Sequence, residues 1–285
     1  MTSKPIIIVT GSLKSIFFEV FFKSLKEKYR NPFILICNKK NLVQQMKRFK
    51  FKRKIKLLDL KKLKKSNLDK NSINIININL KKSANKKKKT QYENEYIKLS
   101  FDIAFRLIKK GFTDKLLNGP INKKTFLNKK FLGITEYISD RFKQKKTAML
   151  IYNKKLSVCP LTTHLPIKLV AKKITKKSIK EKIELINSFF VKNLRFKPKI
   201  AITGLNPHCE SILNFNEDEK IISSAIKSLV KKKINIKGPF PADTIFLKAN
   251  RKKFDVILGM YHDQVLTPLK TLYEYDAINI TMGLP

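Results

Sequence analysis

The chain has 285 residues and is 42% hydrophobic, which is enough for one large or two medium α/β cores and excludes a disordered chain. Lys and Arg number 63 against 21 Asp and Glu, giving +42; the lysines are mixed with Asn and Ile through nearly every segment, so the excess reads as drift toward A+T-rich codons, and nucleic acid is not assigned as a partner, although the field would draw in phosphorylated metabolites. Three widely spaced cysteines exclude a disulfide framework, the apolar run at the N-terminus is too short for a signal peptide, and no segment nears the ~18 apolar residues of a membrane span, so a cytoplasmic protein is expected.

In chain order, Ile6–Val9 reads as a strand, followed by a helix over Ser15–Lys28 and a strand over Phe33–Cys37. Ile73–Leu80 is a further strand, and the lysine-rich stretch Lys81–Lys89 is expected to be a solvated loop. A helix over Tyr92–Lys110 leads to the Phe112–Leu117 run and the turn Asn118-Gly-Pro-Ile-Asn-Lys123, whose following amides would open a helix and offer an anion site. Strands over Ala148–Tyr152, Lys199–Thr203 and Asp255–Met260 alternate with helices over Lys177–Asn193 and Asp218–Lys232. This alternation predicts an α/β fold with mainly parallel strands.

In such sheets ligands gather beyond the carboxyl ends of the strands. The three histidines of the chain all fall there: His164 in Pro160-Leu-Thr-Thr-His164-Leu-Pro166, His208 in Gly204-Leu-Asn-Pro-His208, and His262 in Tyr261-His262-Asp263-Gln264. Imidazole is the commonest ligand of divalent transition metals, and three of them with an open position make a catalytic type of site. Asp243, after the rigid turn Gly238-Pro-Phe-Pro, is either a helix cap or a polar group of the site, and Lys270 is positioned to meet a phosphate or carboxylate. No Gly-x-Gly-x-x-Gly follows the first strand, so a Rossmann dinucleotide site is not expected.

Seven segments in order, Asn118-Gly-Pro-Ile-Asn-Lys123, Gly133-Ile-Thr-Glu-Tyr137, Thr162-Thr-His-Leu-Pro166, Gly204-Leu-Asn-Pro-His208, Gly238-Pro-Phe-Pro-Ala-Asp-Thr244, Met260-Tyr-His-Asp-Gln264 and Asn279-Ile-Thr-Met-Gly-Leu-Pro285, resemble the motifs of the 4-hydroxythreonine-4-phosphate dehydrogenase family. The resemblance spans roughly residues 5 to 285. It implies an isocitrate/isopropylmalate-dehydrogenase-like fold of two α/β/α domains flanking a cleft. The first domain would cover residues 1–130, completed by 275–285, and the second, carrying the histidines, residues 131–274.

By the same resemblance His164, His208 and His262 hold a divalent metal (Zn, Mg or Co), and Thr135, Lys270 and Asn279 contact substrate. Asp243 or Lys270 would assist proton transfer, and the cofactor is NAD, with Gly283 and Leu284 as its candidate contacts. The implied reaction oxidises 4-phosphohydroxy-L-threonine to 2-amino-3-oxo-4-phosphooxybutanoate, which decarboxylates to 3-amino-2-oxopropyl phosphate on the way to pyridoxal 5'-phosphate. A homodimer is implied, with no membrane partner. Ile134 replaces a substrate-touching histidine of the family, which leaves open a paralogous activity on another phosphorylated hydroxy acid such as D-erythronate 4-phosphate. A non-catalytic polyanion-binding protein is the reading from a different class. Family members run some tens of residues further, including a substrate-binding arginine, so the chain is read as a fragment or as the product of a truncated gene.

Overall fold

The computed structural model describes residues 4–27, 29, 31–79, 86–128, 130–131, 133–212 and 214–284. The chain divides into two compact units, residues 1–134 with 285 and residues 135–284.

The first unit is built on five strands: β1 (Ile6–Val9), β2 (Phe33–Cys37), β3 (Ile55–Leu57), β4 (Ile73–Asn77) and β5 (Leu116–Asn118). They lie in the order β3-β4-β2-β1-β5, and every pairing is parallel. All five residues of β2 are buried, as expected of a parallel strand covered on both faces. Its helices are α1 (Phe17–Ser24), α2 (Lys39–Arg48), α3 (Lys86–Lys109) and the single turn α4 (Lys123–Phe126). Helix α1 buries Phe17, Phe18, Phe21 and Phe22 against Phe33, Leu35 and Ile73. Asn38 caps α2 by accepting from the Asn41 amide at 3.0 Å.

The second unit holds β6 (Ala148–Tyr152), β7 (Ser157–Thr162), β8 (Ile200–Thr203), β9 (Ile236–Phe240), β10 (Val256–Tyr261) and β11 (Ile278–Met282), in the order β11-β6-β7-β10-β8-β9. Strands β7, β10, β8 and β9 run parallel; β6 and β11 are antiparallel to their neighbours. Around them lie α5 (Ile134–Arg141), α6 (Val170–Lys173), α7 (Lys176–Phe189), α8 (Ser224–Lys231), α9 (Ala242–Ile245), α10 (Lys248–Arg251) and α11 (His262–Tyr273). The two-residue period of β10 splits the core. Val256, Leu258 and Met260 join the cluster with Ile183, Ile186 and Leu229 of α7 and α8, whereas Ile257 joins Val265, Leu266 and Leu269 of α11. A capping box between Thr175 and Ser178 starts α7.

Both units are mixed α/β with parallel strands, as expected. Residues 275–285 were expected to complete the first domain, and the structure corrects this: β11 pairs antiparallel with β6, and Met282 and Ile280 pack on the second unit's core. An apolar strand goes where an open sheet edge and a matching core face accept it, and neither is visible in a local pattern. The boundary falls after residue 134 rather than 130. Helix α3 begins at Lys86, so the expected loop does not extend to Lys89; residues 81–85 lie outside the described residues. Strands β3, β9 and β11 were not anticipated as strands. Among the described residues no helix is long and apolar enough to cross a membrane.

Candidate active site

Strands β7, β10 and β8 are adjacent and parallel, so the chain leaves all three at the same edge of the sheet. In the β7–β10 register Tyr261 lies beside Thr162. His262 therefore follows immediately on one strand and His164 two residues on along the other. Their rings stand with centroids 6.0 Å apart and planes 37° apart. Nδ1 of His262 lies 2.6 Å from Asp263 Oδ1, and Nδ1 of His164 lies 3.8 Å from Glu136 Oε1.

The strand ends are tied to one another by side chains. The carboxamide oxygen of the buried Gln264 accepts from the Met260 amide and the Thr203 hydroxyl, each at 2.7 Å, while its nitrogen donates to the Gly204 carbonyl at 2.8 Å. Thr162 donates its hydroxyl to the Met260 carbonyl at 2.7 Å. One residue of β10, Met260, is thus held through both its N–H and its carbonyl, and β7, β10 and β8 are cross-linked just where their loops depart.

The Gly204–His208 loop has its own anchor. Asp218, 1% exposed, accepts from the Leu205 amide at 2.7 Å, the Asn206 amide at 3.1 Å and the Asn206 side-chain nitrogen at 2.9 Å. Gly204 is required there, because a Cβ would come within 2.6 Å of both Asp218 Oδ1 and Cys209 Sγ. Partial burial, reinforced by Asp218 and more weakly by Asp243, pushes the Cys209 thiol up to about 11. The loop turns through His208 and Cys209 with left-handed φ of 55° and 64°.

The histidine expectation divides here. His164 and His262 are brought together; His208 is on the neighbouring loop, and among the described residues no three His, Cys, Asp or Glu side chains are grouped closely enough to hold a metal. The pair itself suits a shared divalent ion. Two imidazoles on one ion have centroids roughly 5–6 Å apart, given metal–nitrogen bonds near 2 Å. A carboxylate beside Nδ1 of each ring leaves Nε2 to donate, which is the usual outer-shell arrangement of a metal histidine.

Thr135, in the first turn of α5, has its hydroxyl 3.1 Å from that of Thr281 on β11. Asn279 shares Thr281's face of β11 by the two-residue period and is exposed. Asp243 lies in the first turn of α9, whose cap position is Pro241 and has no side-chain cap; the capping alternative is therefore not realised. Lys270 is exposed on α11, eight residues after His262, a rise of about 12 Å along the axis. Gly283, with φ 84°, brings the backbone so close to the Lys146 carbonyl that a Cβ would lie 2.2 Å from it. That approach accounts for the glycine without a dinucleotide, and Leu284 beside it is half-buried. Ile134 opens α5 and is half-buried. In the first unit, the turn after β5 does open a helix, but one turn long, with its Thr125 amide directed at Asn122 Oδ1 at 3.4 Å.

Sequence reasoning gave no role to Gln264, Thr162, Asp218, Glu136 or Thr281. Gln264 and Glu136 sit inside quoted motifs, two residues from His262 and one from Thr135, and that adjacency was the available signal. Asp218 carried none, because its partners are a loop twelve residues upstream.

A family model described as pyridoxal phosphate biosynthetic protein PdxA matches residues 28–285. A 4-hydroxythreonine-4-phosphate dehydrogenase of Sulfurihydrogenibium sp. (strain YO3AOP1) is 44% identical over 177 residues, 60% of this chain and 54% of that protein. A D-threonate 4-phosphate dehydrogenase of Pectobacterium atrosepticum is 34% identical over 195 residues, 65% of this chain and 60% of that protein. The matched stretch thus spans little more than half the length of either relative. A crystal structure of 4-hydroxythreonine-4-phosphate dehydrogenase from Klebsiella pneumoniae superposes with a TM-score of 0.78 at 25% identity, covering 99% of this chain and 89% of that one. The fold is isocitrate/isopropylmalate-dehydrogenase-like, as the motifs implied.

Proposed function

The chain belongs to the pyridoxal phosphate biosynthetic protein PdxA family, and from that premise we propose that it is a dehydrogenase of phosphorylated hydroxy-amino acids. Its substrate in this reading is 4-phosphohydroxy-L-threonine. The secondary alcohol becomes a ketone, the hydride leaves to NAD and one proton is released; the 2-amino-3-oxo-4-phosphooxybutanoate formed then loses CO₂ to give 3-amino-2-oxopropyl phosphate. The reaction serves the making of pyridoxal 5'-phosphate, in the cytoplasm.

The observation that carries the reading is the His164–His262 pair, 6.0 Å apart with a carboxylate beside each Nδ1. A divalent ion held there would supply Lewis-acid polarisation of the reacting alcohol and of the carbonyl that follows. His208 is the third ligand in this proposal, brought in from the adjacent loop. Thr135 and Asn279 bind the substrate's polar groups, and Lys270 meets its phosphate. Asp243 or Lys270 assists transfer of the alcohol proton. Gly283 and Leu284 are the residues we propose beside the nicotinamide. A homodimer is proposed as the working form, and the +42 charge favours encounter with an anionic substrate.

A second reading has a specific support. Relatives named D-threonate 4-phosphate dehydrogenase match as well, and Ile134 stands where the family has a substrate-touching histidine. The deciding experiment measures NADH formation from 4-phosphohydroxy-L-threonine, D-threonate 4-phosphate and D-erythronate 4-phosphate, with and without chelator, in the wild type and in His208→Ala. Chelator-sensitive turnover of the first substrate, lost in His208→Ala along with bound metal, is the expected result. Preference for a sugar-acid phosphate selects the second reading. Unchanged turnover in His208→Ala refutes the ligand assignment. Tight, salt-dependent nucleic-acid binding without bound metal or turnover would instead make the protein a polyanion binder.

A further inference from the structure

We propose that Glu136 is the positioning residue of His164, holding the imidazole through Nδ1 so that Nε2 is the nitrogen left to donate; this rests on the metal-site reading above. Glu136 sits in the first turn of α5, and its Oε1 lies 3.8 Å from His164 Nδ1. That separation is beyond the upper end of hydrogen-bond range by about 0.6 Å, a gap that a small rotation of either side chain closes. The pair tightens when Nε2 takes a ligand, because ligation there makes Nδ1–H a stronger donor.

The other oxygen argues that this carboxylate is not there for stability. Glu136 Oε2 is buried and has no hydrogen-bond partner among the described residues. A carboxylate with an orphaned buried oxygen is costly, and an apolar side chain of the same volume would serve the packing better. The surroundings are arranged to keep it. The part-buried Lys182 of α7 donates its ammonium to the Thr147 carbonyl, and its positive charge interacts with Glu181 and, more weakly, with Glu136. Helix α5 is pinned by Ser139, whose hydroxyl donates to the Thr135 carbonyl at 2.7 Å and lies 3.2 Å from Thr147 Oγ1, and by the Thr135–Thr281 contact. The same turn therefore carries Thr135, proposed above to bind substrate, and the carboxylate of Glu136. The two histidines receive matched treatment: Asp263, the next residue in the chain, serves His262, while Glu136, from a separate helix, serves His164.

The test uses the purified full chain and Zn²⁺ as the probe. Isothermal titration is run on the wild type, Glu136→Gln, Glu136→Asp and His164→Ala, and nitrogen-15 histidine spectra of the metal-free proteins report the tautomer of His164. Glu136→Gln is expected to weaken Zn²⁺ binding 10- to 100-fold, the usual span for an outer-shell partner, and to remove the preference of His164 for a proton on Nδ1, with an unchanged melting temperature. Glu136→Asp, which keeps the charge one methylene further back, is expected to fall between; it also answers the question if Glu136→Gln does not fold. Wild-type affinity and tautomer in the Glu136 variants, with binding weakened in His164→Ala, overturns the role of Glu136 while leaving the metal site standing. Binding unaffected by His164→Ala overturns the metal-site reading and this inference with it.

Discussion

Replacing Gln264 with Leu is expected to loosen three strand ends at once. The side chain is close to leucine in volume, so the loss is polar. The Met260 amide, the Thr203 hydroxyl and the Gly204 carbonyl would each lose a bond of 2.7 or 2.8 Å in a buried setting. An unsatisfied buried group costs about 1–3 kcal/mol. The Thr203 hydroxyl can rotate to another acceptor, which leaves two groups fully subject to the penalty and a total of about 2–6 kcal/mol. A typical domain has only about 5–15 kcal/mol in hand. Urea unfolding of wild type and Gln264→Leu, followed by circular dichroism, measures the loss, and Zn²⁺ titration in the same samples reports whether His262 still stands against His164. We expect a lowered midpoint at unchanged m-value together with weaker Zn²⁺ binding. A loss below about 1 kcal/mol with wild-type Zn²⁺ binding would show that the main-chain ladder alone holds the strand ends, and the cross-tie argument would be wrong.

Two further outcomes follow from the site. Asp218→Asn turns an acceptor of three hydrogen bonds into a group that faces amides with its own N–H₂, so a loss of about 2–4 kcal/mol is expected; urea unfolding checks it, and an unchanged midpoint would mean the Gly204–His208 loop is fixed elsewhere. The cysteines are held protonated: burial drives Cys37 upward and Cys159 up to about 12, and Cys209 is up to about 11. Native protein at pH 8 should therefore react slowly with a disulfide reagent, releasing all three thiols only in denaturant. Because these pKa values are raised in the folded state, the unfolded chain gives up thiol protons first. The stability they contribute is complete below pH ~9 and is lost as pH rises through about 11 and 12. Alkaline titration of the unfolding midpoint measures this, and a flat profile from pH 9 to 12 would contradict it.

Whereas the division into two domains came only from the motif resemblance, the alternation of β-branched runs with amphipathic stretches specified an α/β fold with mainly parallel strands, because apolar periodicity is a local property of the chain. It also placed all three histidines at carboxyl ends of strands, which is where ligands collect in this architecture. Local pattern did not decide which strands are neighbours. The order β7-β10-β8 brings His164 against His262 although 98 residues separate them, and the loop of the third histidine turns through left-handed φ at His208 and Cys209. Nor did it assign β11, whose Ile280 and Met282 satisfy the second core as readily in sequence terms as the first. The cross-tie of Gln264, the anchor of Asp218 and the stranded oxygen of Glu136 exist only once the chain has closed on itself. Hydrogen-bond partners and burial are set by tertiary packing, so the sequence named the chemical groups and the fold determined which of them meet.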